Sequence, residues 1–77
     1  MYEHAKAKRN LLRFGRKIAV ERACRNISLN KIAQQMGIPI FMLSEIEAGT
    51  TDFSIEDMFL LLNVLEVDLA EFFAGFE

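Results

Sequence analysis

The chain has 77 residues, 52% of them hydrophobic, with seven Phe and four Met; that is one small domain, whose single core yields about 3–5 kcal/mol at most, and it excludes a two-domain protein. No apolar run approaches the roughly 20 residues that a bilayer span needs and no signal-peptide pattern opens the chain, so a soluble, cytoplasmic protein is expected. The formal net charge of −2 conceals a division: residues 1–31 hold all nine Lys and Arg against two carboxylates, a formal +7, while residues 32–77 hold nine carboxylates and no cation, a formal −9.

Residues 1–12 read as a basic N-terminal arm or helix extension, with 13–77 as the folded domain. His4, in a polar segment, reads as a solvated residue. From Leu11 to Arg25 apolar residues at 11, 14 and 18 recur at helical spacing with charges between them, which predicts an amphipathic helix stopped near Asn26. Lys6, Arg9, Arg13 and Lys17 stand three and four apart, so a helix gathers them into one stripe. Cys24 is alone, which rules out an internal disulfide, and it reads as a small packed residue.

Ser28 is placed to cap a second helix, Leu29 to Met36, whose Ile32, Ala33 and Met36 form one face, and Gly37 ends it by tolerating positive φ. A third helix follows a turn, with Pro39 at its first turn, Leu43 and Ile46 facing inward and Gly49 as its stop. Ile40, Phe41, Ser44, Glu45 and Ala48 are left on its other side. After a loop, Ser54 and Asp57 resemble a capping box for a fourth helix, Ile55 to Leu65, with Ile55, Met58, Leu61, Leu62 and Leu65 as its buried stripe. Asp68 opens a short fifth helix to Ala74 bearing Leu69, Phe72 and Phe73. The expected fold is all-α: a five-helix bundle with a basic N-terminal extension. No Gly-rich phosphate loop, metal-ligand spacing or Ser/His/Asp grouping is present, so an enzyme, a metal site and a cofactor are not expected.

The pieces Arg22, Ile27-Ser28, Ile32-Ala33, Gly37-Ile38, Leu43-Ser44, Ile46-Glu47 with Gly49, Ser54-Ile55-Glu56, and Leu65 with Val67 occur in order and without gaps. Over about residues 13–73 the chain thereby resembles the Cro and phage-repressor type, or Xre-like, helix-turn-helix family. The resemblance implies a five-helix repressor-like domain in which the second helix lies across the DNA backbone and the third enters the major groove. It also implies a structural ion pair between Arg22 and Glu47. The contact positions then fall on Leu29, Ile40, Phe41, Ser44 and Glu45.

That face departs from the family pattern. Bases are read chiefly by Arg or Lys on guanine and Asn or Gln on adenine, and none of these types stands there. The loop Thr50-Thr51-Asp52 also lacks the Lys or Arg that relatives often hold near phosphates. Two functions follow. One is a small, dimeric DNA-binding transcriptional regulator, with Lys6, Arg9, Arg13, Lys17, Asn30 and Lys31 on phosphates. The alternative is a helix-turn-helix fold whose face of Leu29, Ile40, Phe41 and Glu45, with Met42 nearby, binds a protein partner instead of DNA bases; a subunit binding both lies between them. Against exposure of Ile40 and Phe41 stands a fold-back of the N-terminal segment through Tyr2, Leu11 or Leu12. Dimerisation is expected because Phe59, Phe72, Phe73 and Phe76 exceed what one small core buries. The charge division leaves two outcomes open, a two-faced surface or mutual neutralisation within the fold.

Overall fold

Five α-helices and no strand make up the described residues: α1 (Tyr2–Cys24), α2 (Leu29–Met36), α3 (Ile40–Ala48), α4 (Ile55–Leu65) and α5 (Leu69–Phe73). The computed structural model describes residues 2–76; Met1, Glu77 and the side chains of Tyr2, Glu3 and His4 lie outside that description. The solvated His4 and the covering Tyr2 therefore fall outside it too.

The first helix begins nine residues before Leu11. Ala5-Lys6-Ala7-Lys8-Arg9 is a run of strong helix formers with neither Pro nor Gly, so nothing interrupts the α1 backbone. The helix stops at Asn26, which takes the left-handed conformation at φ 56° that Asn tolerates better than most residues. Ser28, Ser54 and Asp68 each accept a backbone N–H three residues on, from Lys31, Asp57 and Glu71 at 3.1, 3.0 and 2.9 Å. Each satisfies one of the four N–H groups that a helix start leaves unpaired.

Every helix contributes to one core. Phe14 and Ile18 meet Ile32, Leu43, Ile46, Leu61, Leu62, Leu65 and Phe72 there, all at most 4% exposed. Three expectations need correction. Ile55 is 69% exposed: as the first residue of α4 it overhangs the entry loop, and the buried stripe begins only at half-buried Met58. Leu69 is likewise exposed at the start of α5. Cys24 is exposed rather than packed, because it lies on the side of α1 that also bears Arg13 and Lys17.

The third correction concerns the aromatic surplus. Phe72 is buried and Phe73 and Phe76 are half-buried, in a cluster with Phe14 and Phe53. Ring centroids stand 5.0 Å apart for Phe14 and Phe53, 5.5 Å for Phe14 and Phe72, and 5.4 Å for Phe73 and Phe76, spacings at which tilted and edge-to-face rings attract. Only Phe59 of the four C-terminal phenylalanines stays exposed.

Candidate nucleic-acid interface

The α2–α3 turn is Gly37-Ile38-Pro39. Gly37 takes φ 73° and its N–H is directed to the Ala33 and Gln34 carbonyls, while Ile38 N–H donates to Ala33 at 3.1 Å. A residue with a Cβ pays strain at that φ, so glycine sets the sharpness of the turn. Pro39, with no N–H to leave unsatisfied, precedes the first turn of α3 and accepts from Met42 N–H at 3.0 Å.

Three contacts with α1 fix the C-terminal end of α3. Just past that end, Gly49 at φ 73° sits so close to Leu12 that a Cβ there would lie 2.6 Å from the Leu12 Cα. In the last turn of α3, a Cβ on Gly15 would lie 2.5 Å from the Glu47 carbonyl oxygen and against that of Ile46. Two turns further along α1, Arg22 donates from Nε to Glu47 Oε2 at 2.7 Å and from Nη2 to Oε1 at 3.1 Å, a bidentate pair. A third donation, Nη1 to the Ile27 carbonyl at 3.1 Å, ties the same guanidinium to the segment entering α2. The hydrogen bond with Glu47 raises the Arg22 pKa above its ordinary value; burial opposes the rise and the Glu47 charge adds to it.

With Leu43 and Ile46 buried underneath, Ile40, Phe41, Ser44, Glu45 and Ala48 face outward. Ile40 is 46% and Phe41 62% exposed. Leu11 and Leu12 do not fold back over them: α1 stays helical through both, and Leu12 packs on Gly49. Leu29 and Met42 are half-buried against the core, so the apolar part of this face reduces to Ile40 and Phe41. Asn30 and Lys31 are exposed on the first turn of α2.

The four-cation stripe is not brought beside α3. Leu12, Gly15 and Arg22 are the side of α1 that touches α3; at 3.6 residues per turn, Lys6, Arg9, Arg13 and Lys17 point about 150° away from it. Two of them meet the C-terminal tail instead. Arg13 donates to the Gly75 carbonyl and stacks over Phe76 at 5.1 Å, and Lys17 lies 5.3 Å from the Phe72 ring centroid. The cation that does reach the loop after α3 is Lys8, which lines a cleft with Ala7, Leu11 and Gly49 to Asp52.

Lys8 and Gly15 stand apart from the cationic and apolar stripes, and their signal is the register: 8, 12, 15 and 19 follow one another at three and four, a side of α1 on which Leu12, Gly15 and Ala19 are small or aliphatic. Among the described residues the ion pairs are Arg22 with Glu47 and Arg25 with Glu21. Only the first links the basic and acidic parts of the chain, so the charge division stays on the surface.

A family model described as helix-turn-helix matches residues 21–72, which spans α2 to α4 and most of α5. A search of the curated proteins finds no match to the sequence. Among solved structures, the chain is similar to the restriction-modification controller protein C.AhdI from Aeromonas hydrophila. The TM-score is 0.75 and the identity 22%, over 82% of this chain and 96% of that one, a likeness of fold.

Proposed function

The chain belongs to the helix-turn-helix family of small transcriptional regulators, and we propose that it works in the cytoplasm as a homodimer on duplex DNA, by binding and not by catalysis. The observation that supports this reading is the fixed aim of α3: three contacts with α1 hold it, and its outer face is free beside the capped start of α2. In this reading residues 13–77 are the DNA-binding domain and 1–12 its basic extension. Ile40 and Phe41 reach thymine methyl groups, Ser44 accepts or donates, and Glu45 accepts from cytosine N4. Asn30, Lys31 and Lys8 flank the groove as phosphate contacts.

A salt titration tests the reading. The affinity for random duplex DNA should fall steeply with salt, and Lys8→Ala or Lys31→Ala should each flatten the log–log slope by about 0.9. Glu45→Gln should strengthen random-duplex binding, since it removes a carboxylate from a groove lined with phosphates. Absence of duplex binding at 50 mM salt would sink the reading.

Exposure of Ile40 and Phe41 with no cation anywhere on α3 supports a second one. The same face then docks an apolar segment of a protein partner whose basic residue meets Glu45. Phe41→Ser would abolish that docking, whereas it would leave phosphate-driven DNA binding within a few-fold.

A further inference from the structure

We propose that the outer side of α1 is a second duplex-binding surface, separate from α3, so that the protein holds two DNA segments together; this rests on the DNA-binding reading above. Lys6, Arg9, Arg13 and Lys17 form one line on the helix, and Arg16 stands at its edge. From Lys6 to Lys17 the line is about 16 Å long at 1.5 Å per residue. Along a duplex axis that is the length of about five base-pair steps at 3.4 Å each. No carboxylate occurs from Ala5 to Val20, and none of these five cations is in an ion pair among the described residues.

The surface is also shaped in advance. Arg13 and Lys17 rest on the rings of Phe76 and Phe72, which limits the rotamer freedom that long cationic side chains otherwise lose on binding. Arg13 spends an Nη2 donor on the Gly75 carbonyl, and the rest of its guanidinium fork and the Lys17 ammonium are left for phosphate oxygens.

Position makes the surface a separate one. The stripe points about 150° away from the side of α1 that touches α3, so it does not continue the outer face of α3 and a duplex on Ile40 and Glu45 leaves it open. A linear polyanion fits the stripe better than the acidic part of a second copy does. The exposed carboxylates Glu45, Asp52, Glu56, Glu66, Asp68 and Glu71 are divided among α3, α4, α5 and their loops, with no more than one on any helix.

The test uses the whole chain, a biotinylated 40-base-pair mixed-sequence duplex on beads, and a fluorescent duplex of the same length in solution. Wild-type protein should retain the fluorescent duplex on the beads. Lys6→Glu/Arg9→Glu alters two exposed side chains, and its unchanged melting curve would show that it folds. It should still bind the immobilised duplex, with a salt slope shallower by about 1.8, and retain at least tenfold less of the fluorescent one. Equal retention by the variant would overturn the proposal. So would a wild-type protein that binds single duplexes, loses them on Ala48→Glu, and never retains the second: the α3 reading then stands alone. Failure of wild type to bind any duplex would remove both. Light scattering without DNA gives the last arm, since assemblies that Lys6→Glu/Arg9→Glu dissolves would assign the stripe to a second copy and overturn the proposal.

Discussion

A methyl group at Gly15 has nowhere to go. Gly→Ala inside a helix ordinarily stabilises by about 1 kcal/mol, yet here the new Cβ would meet the Ile46 and Glu47 carbonyls. Rigid backbone must part to admit it, at about 1–3 kcal/mol. Gly15→Ala should therefore lower stability in a urea melt, and a stabilised variant would show that α1 and α3 are not in backbone contact. Arg22 acts at the same seam. A group whose pKa is raised on folding contributes stability that is complete below its unfolded value and lost only as pH rises through the folded one. For Arg22 that window lies above any pH at which the protein is handled, so its share should be constant from pH 5 to 9. Glu47→Gln leaves a half-buried guanidinium with a weaker partner and should cost about 1–3 kcal/mol, at pH 6 and pH 8 alike. A cost that vanishes on melting at either pH would refute this.

At the scale of an element, α3 has two faces with opposite sensitivities. Leu43 is fully buried, and Leu43→Ala should cost about 2–5 kcal/mol through lost transfer energy and a residual cavity. Phe41→Ser, on the outer face, should change stability by no more than about 0.5 kcal/mol. Chemical denaturation of the two variants side by side measures the contrast, and similar costs would mean that Phe41 is packed. The caps of α2 and α4 are subtler: Ser28→Ala and Ser54→Ala each remove one side-chain acceptor, worth about 1 kcal/mol.

For the whole molecule, the surface of α4 and α5 is the place where a second copy would sit. Ile55, Phe59 and Leu69 expose 69%, 43% and 45% of their area there, while α1 supplies the charge. Burying such residues between two copies contributes about 25 cal/mol per Å² of apolar surface, less the cost of association. Sedimentation at about 100 μM should show a dimer, and Phe59→Glu should give a folded monomer with an unchanged helical spectrum. A wild-type monomer at that concentration would remove this surface from consideration.

Much of the architecture is local and was readable. Helix boundaries at Ser28, Gly37, Gly49, Ser54 and Asp68 follow from capping oxygens and from glycines at φ 73°, and these depend on a few neighbouring residues. Period alone identified Leu43 and Ile46 as inward and Ile40 and Phe41 as outward. What neither period nor propensity contains is which helix lies against which. Gly15 has meaning only because α3 crosses α1 there, and Leu12 is withheld from Ile40 and Phe41 only because Gly49 receives it. The cationic stripe was visible as a stripe, but its direction was not: Arg13 and Lys17 turn toward rings 55 to 63 residues further along the chain. Sequence by itself determined α2 to α5, their caps and most helix faces, though not the start of α1 or the exposure of Ile55 and Cys24, since caps and faces arise from interactions within one or two turns. The tertiary structure decided the aim of α3 and the side on which the charge emerges, since both depend on distant segments that only packing brings together.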